Sequence, residues 1–206
     1  DALGNAVAGR DVSGAVSYKT YDRAGRLSFE VDASGAVTGY TRNVFGDAVT
    51  VTRYSTPIGL GAQQLGGKDA TALVLNALNA QPDHSADRTL QIQVDKFGRT
   101  VKLTEPGGYF YDPARGVAIA AKVTQNTYNA FGELARTATL AWGTTVWNAV
   151  NHYYDLRGLR TASVDALGYL TKWGYDAAGN LTEQTEYGRA IAGRSGTNPP
   201  AQPPAA

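Results

Sequence analysis

Between Gly25 and Asp32 the chain alternates, with Leu27, Phe29 and Val31 apolar and Arg26, Ser28 and Glu30 polar. A period of two puts one set on each face of an extended chain, so the stretch predicts a half-buried β-strand about 20 Å long. A slip of one residue would carry the Leu/Phe/Val set into water, so the pattern also sets the register. The next strand, 37–42, is less clean because Tyr40 lies out of phase with Val37. Residues 1–52 as a whole read as a β-meander of regular repeats.

Turns punctuate these strands at fixed intervals. Asp or Asn is followed three residues later by Gly at Asp1 and Gly4, Asp11 and Gly14, Asp22 and Gly25, Asp32 and Gly35, and Asn43 and Gly46. The pattern returns at Asp95 and Gly98, Asn129 and Gly132, Asp155 and Gly158, Asp165 and Gly168, and Asp176 and Gly179. Asp or Asn bonds its own backbone two residues on, and Gly accepts the left-handed conformation that closes a hairpin. Starts within each regular run fall 10 or 11 residues apart, and Tyr precedes Asp at Tyr21, Tyr154 and Tyr175 whereas Val precedes it at Val31 and Val164. A strand–turn–strand–turn unit of 21 residues therefore has two chemically distinct ends. Above it lies a longer period: Tyr21 and Tyr154, Asp32 and Asp165, Gly46 and Gly179, Tyr54 and Tyr187, and Ile58 and Ile191 are each 133 residues apart. Such periodicity describes a stack of repeats.

Residues 53–93 interrupt the period. After Pro57 and a Gly-rich run, Ala70, Leu73, Val74, Ala77 and Leu78 recur at helical spacing, with Asp69 as N-cap and Pro82 beyond the end. This predicts an insertion, a loop and one short amphipathic helix packed on the sheet, the alternatives being a partner-binding helix or a flexible excursion. Residues 94–153 read as irregular repeats: Glu-Pro-Gly-Gly at 105–108 takes a turn slot, and 111–116 forms a turn one residue longer. The stretches 117–128 and 133–153 are long enough for paired strands, with a turn at Trp142-Gly143-Thr144. The regular meander resumes over 154–191, and 192–206 is a Pro/Gly/Ala-rich loop or disordered end. The fold expected is all-β: antiparallel hairpin repeats in a continuous, spiralling sheet, with one short helix.

Composition narrows the function. Only 18% of residues are charged and the net charge is +1, which gives no basis for a nucleic-acid partner. No apolar run reaches membrane-span length. The absence of cysteine excludes disulfides, thiolate metal sites and a cysteine nucleophile. The first four residues lie inside a repeat turn with no signal-peptide pattern, so the chain reads as a segment of something larger.

The search for chemistry returns little. His84 and His152 are the only histidines, and adjacency of Ser85 to His84 is not nucleophile–base geometry. His152 reads as a strand residue packed among aromatics. Each turn offers one carboxylate, too few for a calcium loop. No catalytic residue, metal ligand or cofactor site is expected, and the turn residues are read as structural. Twelve tyrosines and three tryptophans, Trp142, Trp147 and Trp173, are read as cross-strand packing, with Tyr placed to brace each turn. The alternative is a sugar-stacking platform.

The motif Tyr-Asp-x-x-Gly-Arg-Leu at 21–27, with degenerate copies through Gly179, resembles the YD repeats of the RHS-repeat family. Bacterial RHS toxins, the BC component of Tc toxins and the YD shell of teneurins are members. The stretch Arg-Tyr-Ser-Thr-Pro-Ile at 53–58, echoed by Glu-Tyr-Gly-Arg-Ala-Ile at 186–191, is similar to the very large bacterial RHS proteins. The resemblance covers residues 1–191. It implies that the hairpins build the wall of a hollow shell enclosing a C-terminal toxin or effector, in a secreted or cell-surface bacterial protein. The implied partners are neighbouring repeats and the enclosed effector. Open strand edges add end-to-end self-association, and the alternative reading is an adhesion or glycan-binding module, filamentous in form. The core motif that ends the family's shell, its aspartyl-protease residues and a toxin domain are missing from this chain.

Overall fold

The computed structural model describes residues 1–65, 70–114, 116–140 and 145–191, and divides into two compact units, 1–99 and 100–206. The first unit contains β1 (Ala8–Arg10), β2 (Val16–Tyr21), β3 (Leu27–Val31), β4 (Val37–Arg42) and β5 (Ala48–Arg53). A single helical turn α1 (Ala62–Leu65), the helix α2 (Ala70–Asn79) and β6 (Arg88–Val94) follow. These six strands pair antiparallel in chain order. The second unit contains β7 (Thr100–Thr104), β8 (Gly108–Asp112), β9 (Gly116–Ala120), β10 (Val123–Tyr128) and β11 (Leu134–Leu140). It ends with β12 (Trp147–Tyr154), β13 (Arg160–Val164), β14 (Leu170–Tyr175) and β15 (Leu181–Glu186). Its main sheet runs β7, β10, β11 and on to β15 in order, while β8 pairs with β9 in a separate hairpin. The protein is an all-β repeat with short helical segments.

Each Asp/Asn-x-x-Gly turn is built the same way. At Asp22, Oδ1 accepts the amides of Ala24 (2.9 Å) and Arg26 (3.0 Å), and the Asp22 carbonyl accepts the Gly25 amide at 3.0 Å. The amide four residues on binds the side-chain oxygen in all ten turns. Gly25 sits at φ 74°, a conformation open to glycine at little cost. The turns within the irregular stretch keep this geometry. Gly98, at φ 75°, donates its amide to the Asp95 carbonyl at 3.0 Å, and Gly132, at φ 90°, donates to the Asn129 carbonyl at 3.1 Å. Both keep the turn conformation, although the strands around them are less regular.

The turn glycine also leaves room for its neighbour. A Cβ on Gly25 would meet Leu3 and Asn5, one on Gly46 would meet Arg26, and one on Gly158 would meet Glu133, each from the preceding turn at that end of the strands.

The cores repeat with the 133-residue period. In the first unit Val31, Val37 and Ile58 are buried with Leu65, Val74 and Leu78, and Phe29 and Tyr54 pack against them. The second buries Val164 and Leu170 at the positions equivalent to Val31 and Val37, adds Tyr153 and Ala162, and packs Tyr187 and Ile191 against them. The same clasp closes both: the Ile58 amide binds the Gly35 carbonyl at 2.8 Å, and the Ile191 amide binds the Gly168 carbonyl at 3.0 Å. Helix α2 buries Ala70, Val74 and Leu78, one residue per turn, which is the stripe a short helix can lay on a sheet.

The structure departs from the sequence pattern in three places. The Glu-Pro-Gly-Gly stretch at 105–108 does not turn β7 onto its partner; the chain leaves the sheet there, forms β8 and β9, and returns as β10 to pair with β7. Pro106 has no amide to give a ladder, and the excursion is closed at its base by Glu105 and Lys122, through a backbone bond of 2.9 Å and an ion pair of 3.0 Å. Residues 117–128 are therefore two strands of different sheets. Leu73, placed on the buried face of the helix by its spacing, is 37% exposed. Besides the one helix expected, α1 contributes a further turn whose Leu65 is buried. The N-cap assigned to Asp69, the turn at 142–144 and the tail 192–206 lie outside the described residues.

Candidate functional site

The tyrosine before a turn makes a long-range hydrogen bond. Tyr154 Oη donates to the Leu134 carbonyl at 3.0 Å, Tyr175 to Arg160 at 3.0 Å, Tyr128 to Thr100 at 3.0 Å and Tyr21 to Ala6 at 2.8 Å. Each acceptor is the residue just after the preceding turn at that end of the strands. The paired register stops two residues short of it: at Arg136↔Asn151 for Tyr154, at Ala162↔Lys172 for Tyr175 and at Lys102↔Gln125 for Tyr128. The phenol therefore takes a carbonyl just beyond the paired residues, where the strands separate into their turns. Arg42, which holds the same place before Asn43, does likewise with Nη2 on the Leu27 carbonyl at 3.2 Å.

In each unit these braced turns lie at one end of the strands. In the first, the braced turns at Asp22 and Asn43 share that end with the turns at Asp1 and Asp95, and the excursion from β5 to β6 leaves from the other. In the second, Asn129, Asp155 and Asp176 share it, while the β8–β9 excursion and the β11–β12 connection leave from the opposite end.

The first excursion is pinned by a polar cluster that sequence spacing did not reveal. Asp87 accepts His84 Nδ1 at 2.7 Å, the Ser55 amide at 2.7 Å and Ser55 Oγ at 2.9 Å. Burial pushes the Asp87 carboxyl up, but the Ser55 and His84 hydrogen bonds outweigh it and the net shift is downward. Tyr54 meets His84 edge to face, with ring centroids 6.1 Å apart. This is a serine, a histidine and an aspartate in contact, yet the hydroxyl bonds the carboxylate and not the imidazole. No base is poised to activate Ser55, so the arrangement ties the two ends of the excursion together.

The other expected residues are also accounted for. His152 stands in β12 opposite Ser163, and burial followed by the nearby Arg160 charge pushes its pKa down. Among the described residues no group of His, Cys, Asp and Glu has a metal-holding arrangement. Trp173 is engaged: Arg160 lies 4.3 Å from its ring and Nε1 donates to Gln184 at 3.2 Å. Trp147 is 37% exposed, and Trp142 lies outside the described residues. The most exposed tyrosines are instead Tyr109 and Tyr111 on β8, facing Ile119 and Val117 across the hairpin.

Comparison with known proteins bears on residues 154–190, which match the RHS repeat family model. No curated protein matches the chain. Similar solved structures include the crystal structure of TcdB2-TccC3-Cdc42, at a TM-score of 0.40 and 13% identity over 89% of this chain. Another is that of TcdB2-TccC3-TEV, at a TM-score of 0.40 and 12% identity over 92% of this chain. The match spans 11% of the length of either of those chains. The stretch similar to the RHS repeat family holds β13, β14 and β15, entered through the braced turn at Tyr154 and Asp155.

Proposed function

We propose that this chain is a structural, non-catalytic length of β-hairpin wall in a larger secreted or cell-surface protein, and that the wall encloses an effector domain of the same protein. One observation carries the structural part. The hydrogen bonds that recur through the chain, from the Asp/Asn side chain, the turn glycine, the brace and the clasp, all join one repeat to itself or to its neighbour. A repeat of this kind satisfies its backbone in adjacent strands and leaves open edges only at the ends of a stack. The RHS repeat at 154–190 supports that role, and enclosure is what the family resemblance adds. The test is an electron-microscopy reconstruction of the parent protein. Strands curling round a hollow with density inside would support enclosure, and an open rod would overturn it.

A second reading, an adhesion module, is favoured by one feature: Tyr109 and Tyr111 lie side by side on an exposed face of the β8–β9 hairpin. Stacking of sugar rings there would appear as glycan-array binding lost in Tyr109→Ala and Tyr111→Ala. Retained binding in both variants would remove the hairpin from consideration.

A further inference from the structure

The 133-residue equivalence runs through complete strands: β3, β4 and β5 correspond residue for residue to β13, β14 and β15. On the far side of β5 lies β6, antiparallel, with Arg53 opposite Arg88, Thr52 opposite Thr89, Val51 opposite Leu90 and Thr50 opposite Gln91. Among the described residues β15 pairs with β14 alone, and its side chains are exposed at 181–184 and at Glu186. The equivalent positions on β15 are Glu186, Thr185, Gln184 and Glu183.

The two edges differ in charge. Strand β6 meets β5 with arginine against arginine, a like-charge pair that costs stability when the residues are directly opposed. Set against β15 in the same register, Arg88 would face Glu186, Thr89 would face Thr185 as it faces Thr52 at 3.0 Å between hydroxyls, and Gln91 would face Glu183. The two glutamates with no basic residue on β15 also disfavour pairing of β15 with its own copy, which would bring acid near acid.

We propose that the outer edge of β15 is a docking edge for an extended strand of β6 chemistry: antiparallel, with Arg or Lys opposite Glu186, Thr opposite Thr185 and an amide or base opposite Glu183. The proposal rests on the reading of the chain as repeat wall and names the strand that continues it. Main-chain bonds supply the affinity and the side-chain row supplies the choice.

The full chain, labelled with nitrogen-15, is titrated with a peptide of sequence Asp-Arg-Thr-Leu-Gln-Ile-Gln-Val, copied from residues 87–94. Amide shifts are expected on β15 at peptide concentrations on the order of millimolar. Replacing the peptide's Arg by Glu weakens binding about fivefold or more, and Glu186→Arg in the protein restores binding of the Glu peptide. Absence of β15 shifts, or shifts indifferent to the charge swap, overturns the proposal. Shifts that grow with protein concentration alone would assign the edge to a second copy and also overturn it. Neither outcome touches the wall reading, which stands or falls on the shape of the parent assembly.

Discussion

Tyr154 holds the Leu134 carbonyl at 3.0 Å from twenty residues away, and Arg42 holds the Leu27 carbonyl at 3.2 Å from the same place in its repeat. Two unlike side chains filling one role show what the position demands: a donor on a long arm, aimed at a carbonyl just past the paired residues. Tyrosine suits it because a phenol reaches that distance with only two rotatable bonds and adds ring surface to the sheet.

Removing the donor should be measurable. Tyr154→Phe or Tyr175→Phe keeps the ring and leaves a carbonyl without its partner, and is expected to destabilise by about 1 kcal/mol. Val94 holds the brace position before Asp95 with no donor to offer. Val94→Tyr is therefore expected to stabilise, by roughly 0.5–1 kcal/mol. Urea denaturation of each variant checks both signs; a neutral Tyr154→Phe would mean water serves the carbonyl equally well.

Two turn glycines separate conformation from crowding. Gly14 has positive φ but open space where a Cβ would go, so Gly14→Ala is expected to cost about 1–2 kcal/mol. At Gly35 an added Cβ would run into the Ile58 carbonyl, which is bonded to the chain and has nowhere to move. Gly35→Ala should cost clearly more than Gly14→Ala and should loosen the 53–58 clasp, seen as faster hydrogen exchange at the Ile58 amide. Equal costs would show that conformation alone sets the requirement.

Helix α2 offers a matched pair. Leu78 is 1% exposed in the core, and Leu75 on the same helix is 46% exposed. Leu78→Ala is expected to cost roughly 2–4 kcal/mol. Leu75→Ala should stay within about 0.5 kcal/mol of the parent. Thermal melts of the two variants make the comparison, and similar losses would mean that α2 is not anchored by the Ala70, Val74 and Leu78 stripe.

Two pH responses follow from the titrating groups. The Arg26 amide and guanidinium hold Asp22 below the usual carboxylate range, the Ser34 hydroxyl and Ala36 amide do so for Asp32, and the Ser13 hydroxyl and Ala15 amide for Asp11. A lowered folded-state pKa means stability that is fully present above the unfolded value, about 3.9, and is lost as pH falls through the folded values. His152, kept neutral by burial, adds an earlier step. As pH drops below about 6.5 the unfolded chain takes up a proton that the folded one resists, so stability declines until the folded value is passed. A denaturation series from pH 8 to pH 3 should show both declines, and His152→Gln should abolish the upper one alone. An unchanged upper step in that variant would assign it to another group.

Turn chemistry and register were legible from residues alone because both are local. An Asp or Asn side chain reaches amides two and four residues on, a glycine sets its own φ, and alternation assigns Leu27, Phe29 and Val31 to one side. Gly98 and Gly132 keep the same positive φ and the same amide bond even where the neighbouring strands depart from the regular pattern. The 133-residue period likewise survived into matching strands and a matching Ile58 and Ile191 clasp, since turns of one type at identical spacing build matching hairpins.

What tertiary structure decided is non-local. Tyr128 meets a carbonyl 28 residues back, and Ser55 meets Asp87 across 32 residues, distances at which spacing carries no contact information. The β7–β10 pairing skips a whole hairpin because residues 105 and 122 close the gap, so the long run at 117–128 was split between two sheets. Local hydrogen bonds fixed where this chain turns. Which strand it turned back to was settled by pairing between segments distant in sequence, where the entropy of closing the loop is weighed against a full ladder of bonds.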